Sequence, residues 1–175
     1  RDAEHPVQLR ADPAGDADHR DPRSVTAMGR HGARCVRRGH DFACTQDAMR
    51  RASSRGLFIT GHLLLGLPRE TPESLVAGAK ALAGLPVDAL KFHQLQIVRG
   101  SRLANLWREH PDSVPLLSPD AYIDAVIDML ECLPPSVRIQ RLGSEVPPRL
   151  RLSPDWGIRL SAFPALLEAR LAELE

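Results

Sequence analysis

The sequence predicts an α/β fold on about three parallel strands, and two observations carry that reading. Apolar strand-like runs alternate with capped amphipathic helices at intervals of roughly 25–45 residues, the spacing of right-handed βαβ crossovers. The first of these runs, 57–65, is almost continuously apolar, as a strand covered on both faces reads. A third observation concerns completeness. The average sheet has about 5–6 strands, so three parallel strands read as part of a larger sheet.

The elements follow in order. Residues 1–35 mix Asp, Arg, His, Pro, Gly and Ala with almost no large apolar side chains, and no face forms at either period. Such a segment buries too little to offset its ordering entropy, so it is expected to be disordered; out-of-frame translation of a GC-rich gene is the alternative. Residues 44–55 have helical spacing at Ala48, Met49 and Ala52, with Gly56 placed to end the helix. Leu57 to Leu65 is the first strand, and Gly66-Leu67-Pro68 ends it. Thr71 then caps a helix with Pro72 at its first position, running to about Leu82. Residues 89–98 form a second strand and residues 102–108 a short helix. Ser118-Pro119-Asp120 caps an amphipathic helix bearing Tyr122, Ile123, Val126, Ile127 and Leu130, which Pro134-Pro135 stops. Residues 137–142 form the third strand, and a last helix covers about 163–174.

Bulk properties exclude several functions. The chain of 175 residues has a net charge of +1, so charge alone gives no reason to expect nucleic acid or an acidic partner. No apolar run approaches the roughly 20 residues that span a bilayer, and the first residues lack a signal-peptide core. Three cysteines at 35, 44 and 132 imply no disulfide framework, so a reducing, cytoplasmic location is the expectation. Neither a Gly-x-Ser-x-Gly elbow nor a P-loop is present. His31, Cys35, His40 and Cys44 are zinc-competent types, but their spacing matches no common finger, so no metal site is expected. Arg34, Arg37 and Arg38 could touch phosphate; without an aromatic platform they read as a solvated basic face, and nucleic-acid binding is not expected.

Two groups remain as candidates. A buried strand running into Gly66-Leu67-Pro68 and a capped helix puts backbone N–H groups at the C-terminal edge of the sheet, where α/β folds bind ligands. Gly66 would admit a ligand to the backbone and Glu70 could hydrogen-bond it, although an ordinary tight βα connection uses the same residues. Lys91, His93 and Gln140 occupy strand positions where apolar residues are expected. Lys91 and His93 are two apart and share a face, and buried lysine is rare without partner or function. With that face inward they would converge with Gln140 on a cavity; with the register reversed, Leu90 and Phe92 would take their place.

The chain resembles radical S-adenosylmethionine (radical SAM) proteins, in the bacterial branch with a dedicated C-terminal extension, related to the catalytic subunit of Elongator. The resemblance rests on Arg38–Phe42, His62–Thr71, Lys91–Leu95, Gly100–Ala104 and Ile139–Leu142, with Pro134-Pro135 and Ser153-Pro154-Asp155-Trp156, and covers about residues 36–175. It implies the C-terminal part of a partial (β/α) TIM-like barrel over 36–117, followed by an α-rich extension over 118–175. It further implies a parent that binds a [4Fe–4S] cluster and S-adenosylmethionine, with Gly66, Leu67 and Pro68 shaping the cofactor pocket and Lys91, His93 and Gln140 facing the barrel interior. The sequence departs from the family at three places. The Cys-x3-Cys-x2-Cys loop is absent, Arg69 stands where glycine is usual, and Gly143-Ser144-Glu145 matches a Thr-Gly-Asp-like run only loosely. The chain alone is therefore expected to bind no cluster, to be inactive, and to need the N-terminal half of the barrel or a protein partner. A non-catalytic half barrel that docks or self-associates is the alternative.

Overall fold

A computed structural model of the chain describes residues 24–25 and 41–174. Of residues 1–35, expected to be disordered, only Ser24–Val25 are described, and these form a strand instead; the rest, the Arg34, Arg37 and Arg38 cluster and most of the His31 to Cys44 grouping lie outside the described residues. The elements run β1 (Ser24–Val25), α1 (Phe42–Ser53), β2 (Thr60–Leu65), α2 (Pro72–Ala83), β3 (Ala89–Gln94), β4 (Ile97–Val98) and α3 (Arg102–Glu109). There follow α4 (Pro119–Leu130), β5 (Arg138–Arg141), β6 (Arg151–Ser153) and α5 (Phe163–Leu174). The main sheet has the order β1-β2-β3-β5 and every pair in it is parallel.

The helices start where the sequence puts caps. The Asp41, Thr71, Ser101 and Ser118 side chains each accept from a backbone N–H in the first turn, and Thr71 with Ser74 completes a reciprocal capping box. Between them, the strand pattern sorts side chains onto two faces. Leu63, Leu65, Leu90 and Phe92 join Met49, Ala79, Leu82 and Tyr122 in the main core, under the helices. Gly61 sits on that face because a Cβ there would meet Leu90 Cδ2 at 2.7 Å. Tyr122 reaches past the core to donate to the Leu142 carbonyl (3.0 Å) and packs against Trp156 and Phe163. The aromatic cluster thus ties α4, the end of β5 and the start of α5 together. An exposed Arg170–Asp124 ion pair (2.8 Å) adds a link between α5 and α4, of a kind worth about 0–1 kcal/mol.

The strands differ from expectation in extent. The first begins at Thr60 rather than Leu57, leaving Leu57 and Phe58 exposed below the ladder, with the Arg138 guanidinium 5.9 Å from the Phe58 ring. The second ends at Gln94. Its continuation, β4, leaves the sheet to pair antiparallel with β6, over a small separate core of Leu67, Leu95, Ile97, Ala104 and Val114. Among the described residues no helix is long and apolar enough to cross a membrane.

Candidate functional site

Two features meet at the C-terminal side of the sheet: the loop that leaves β2 and the face of the sheet turned away from the helices. The loop is built around Glu70. Its Oε2 accepts from the backbone N–H of Gly66 (2.8 Å) and of Leu67 (3.1 Å), and the Glu70 N–H donates to the Leu67 carbonyl (3.0 Å). The N–H groups that could have met a ligand therefore face a carboxylate of the chain itself, and the loop offers shape rather than donors. Gly66 and Leu67 are buried and Pro68 half-buried. Gly66 has φ +89°, with Leu117 and Leu95 side-chain atoms within 3.4–3.6 Å of where a Cβ would stand.

Burial pushes the Glu70 carboxyl above its ordinary value, outweighing the two N–H groups that favour its charge. A raised folded value means that this group stabilises the fold while protonated and loses that contribution as pH rises through it. Glu70→Gln, a mimic of the protonated form, should therefore match or exceed the parent in urea unfolding at pH 7 and lose that advantage near pH 4. Glu70→Ala should cost about 1–3 kcal/mol at either pH, because two N–H groups lose their acceptor.

Arg69 adopts φ +66°, the only non-glycine residue with positive φ among those described. A left-handed conformation costs an L-residue roughly 1–2 kcal/mol, which explains why glycine is usual in this loop. Arg69→Gly should raise the unfolding midpoint by a few degrees, read by circular dichroism; a lower midpoint would show that the exposed arginine side chain holds the turn.

On the sheet face opposite the helices, the parallel register sets His62 beside Lys91 and Leu64 beside His93. His62 and His93 stack with centroids 5.2 Å apart, and His93 Nε2 lies 3.2 Å from His62 Nδ1, one nitrogen donating to the other. Burial chiefly, with the positive charges of His62, Arg141 and Lys91, depresses the His93 imidazole to about 4, so it is neutral at pH 7.

Lys91 and His93 thus share a face, and Leu90 and Phe92 take the opposite one. Gln140 does not join them in the ladder. A register shift between Leu90 and Lys91 brings Arg141 opposite Lys91, and Gln140 is exposed. His62 and Arg141 are additions that the residue pattern did not single out. His62 carries the same signal as Lys91, a polar residue in an apolar strand, whereas Arg141 depends on a bulge.

Beyond the strand ends, the buried Gln94 amide donates to the Ser144 carbonyl (2.8 Å) and accepts from the Ser144 N–H (2.8 Å); Gln96 donates to the same carbonyl (2.9 Å). This clamp joins β3 to the loop after β5 and floors a cleft of about 240 Å³ walled by Trp156 and Phe163.

Fold and site together define a parallel α/β unit with a shaped loop at its C-terminal strand edge and a polar sheet face opposite the helices, lined by His62, Lys91 and His93. Comparison with known proteins places the unit: residues 87–173 match the radical SAM C-terminal domain, so the C-terminal portion of the chain is radical SAM-related. A protein of Methanocaldococcus jannaschii is 34% identical over 133 residues, covering 75% of this chain and 41% of its own length. Elongator complex protein 3 of Dictyostelium discoideum is 26% identical over 144 residues, covering 81% and 25%. The fold matches that of an N-terminally truncated Elp3 from Methanocaldococcus infernus with a TM-score of 0.72 at 17% identity, over 84% of this chain and 34% of that one. The chain thus spans less than half the length of these relatives.

The family implies a [4Fe–4S] cluster, and the residues present do not fit one. The three cysteines lie 9 and 88 residues apart, Cys44 on α1 and Cys132 beyond α4. Among the described residues no three metal-ligating side chains come together.

Proposed function

We propose that this chain is the C-terminal part of a radical SAM iron–sulfur enzyme. The parent would reductively cleave S-adenosylmethionine and abstract hydrogen from a substrate; the chain by itself is inactive. The observation that carries this reading is the Glu70-latched Gly66-Leu67-Pro68 loop, at the C-terminal edge of a parallel sheet whose other face carries His62, Lys91 and His93. In the parent that loop would shape the cofactor pocket. Lys91 and His93 would belong to the interior wall, and the N-terminal half of the barrel would cover it. A reducing, cytoplasmic setting accords with iron–sulfur chemistry.

Anaerobic reconstitution with iron and sulfide tests the reading. The chain alone should hold no stoichiometric cluster by absorbance and iron analysis, and should cleave no S-adenosylmethionine under reductant. A stoichiometric [4Fe–4S] cluster on this chain would overturn it. The alternative, a non-catalytic half barrel that docks on a partner or self-associates, is distinguished by size-exclusion chromatography: a clean monomer with cooperative unfolding argues against it, whereas aggregation suits a fragment.

A further inference from the structure

We infer that the cleft beyond the end of β3 is a binding site for a small uncharged ligand with a flat apolar body and a carboxamide, and that Gln96 recognises the carboxamide. The site does not depend on the proposed parent enzyme, since every residue lining the cleft lies between Gln94 and Phe163 of this chain. It is also separate from the polar sheet face: none of His62, Lys91 and His93 lines it. Gln94 is buried two and four positions after Phe92 and Leu90, on the face they share.

The two glutamines are not equivalent. Gln94 satisfies Ser144 by itself, donating to its carbonyl and accepting from its N–H, both at 2.8 Å. Gln96 adds a second donor to the same carbonyl (2.9 Å), while its own Oε1 is buried without a hydrogen-bond partner among the described residues. Reversing the amide would not help, because Oε1 would then face the Ser144 carbonyl, acceptor against acceptor. A buried acceptor left unpaired is costly. Gln96 can turn into the cleft without orphaning Ser144, which Gln94 still holds. Turned so, it presents one donor beside one acceptor, the complement of a carboxamide.

The rest of the cleft selects for a neutral ligand. Trp156, Val146, Pro148 and Ile158 give it an apolar wall. Trp156 is held in place by its indole N–H on the Leu117 carbonyl (3.2 Å) and by packing against Tyr122 and Phe163. The charged lining residues are two of each sign. Arg151 pairs with Asp155 at 2.7 Å, Glu145 accepts from the Leu160 N–H at 3.2 Å, and Arg159 is exposed. Such a balance gives no net field to concentrate an ion. The volume of about 240 Å³ lies below the roughly 300–1,000 Å³ of sites for drug-sized ligands, which limits the ligand to a single ring or a group of that size.

Nitrogen–proton NMR of the full chain tests the site through the Gln96 side-chain amide and the Trp156 indole N–H, told from Trp107 by a Trp107→Phe variant. Benzamide is the probe. Acetophenone, the same ring without an N–H, and benzoate, its charged counterpart, are the comparisons. Benzamide should shift both signals saturably, and acetophenone and benzoate should each bind about tenfold more weakly, for want of a donor to Gln96 Oε1. Gln96→Met should reduce benzamide to the level of acetophenone, read at Trp156, with an unchanged thermal midpoint verifying that the variant folds. The inference is overturned by no saturable shift with benzamide, by acetophenone or benzoate binding as well as benzamide, or by undiminished benzamide binding in Gln96→Met. The probe comparison needs no variant, so a Gln96→Met chain that fails to fold leaves it decisive. None of these outcomes touches the cluster reconstitution, so the two proposals fail separately.

Discussion

Phe92→Ala is expected to lower the free energy of unfolding by about 3–5 kcal/mol, the range for removing a buried aromatic ring from a packed core. Phe92 is fully buried, at the centre of the sheet face that α1, α2 and α4 cover. The flanking helices are set by their caps and strand connections and can close only part of the void. Its neighbour supplies the contrast. Lys91→Ala should change stability by no more than about 0.5 kcal/mol, as substitutions away from core and networks do. Urea unfolding of the two variants therefore reads out which face of β3 is the core. A small loss in Phe92→Ala with a large one in Lys91→Ala would mean that Lys91 and His93, not Phe92, pack under the helices.

Acidification should expose the other face. The His93 imidazole is depressed to about 4 from an ordinary 6.5, so the folded state holds it neutral while the unfolded chain protonates. The sign follows directly: the stabilisation is complete above pH 6.5 and is lost as pH falls from 6.5 toward 4. The slope is at most about 1.4 kcal/mol per pH unit, the limit for one proton. Among the described residues the charged groups acting on His93 are His62, Lys91 and Arg141, all positive when charged, so none of these offsets the loss. Carboxylates elsewhere also respond to acid, which makes the difference between the parent chain and His93→Gln the useful quantity. That difference should narrow steadily between pH 6.5 and 4 in urea unfolding series. A constant difference would place the imidazole in water rather than against His62.

Much of this architecture was legible because it depends on local patterns. The apolar run ending at Leu65, the Thr71-Pro72 and Ser118-Pro119 caps and the 3.6-residue period of α4 each fix an element within a few residues. The two-residue period also placed Lys91 and His93 on one face. It could not say which face, because a strand with Leu90 and Phe92 on one side and a cation and an imidazole on the other can be packed either way. The helices decided it: their apolar stripes require Leu90 and Phe92, which leaves the polar pair on the opposite side.

What stayed hidden depends on long-range geometry. The two-residue β4 and three-residue β6 are too short to show a period, and they pair across more than fifty residues of chain. Arg141 takes the place expected for Gln140 because of one register shift, and a bulge leaves no mark in a four-residue strand. Glu70 read as a group free to meet a ligand, whereas the turn, with Arg69 at positive φ, brings it back onto Gly66 and Leu67. The radical SAM resemblance of the C-terminal portion is borne out by the family match over residues 87–173 and by the similarity to Elongator complex protein 3.

The most direct test of the central claim is accurate sequencing of the gene with several hundred bases upstream, translated in all frames. The account predicts a Cys-x3-Cys-x2-Cys motif on a strand-to-loop segment, in frame with this chain or one base out of frame. A verified upstream region without that motif in any frame would contradict it.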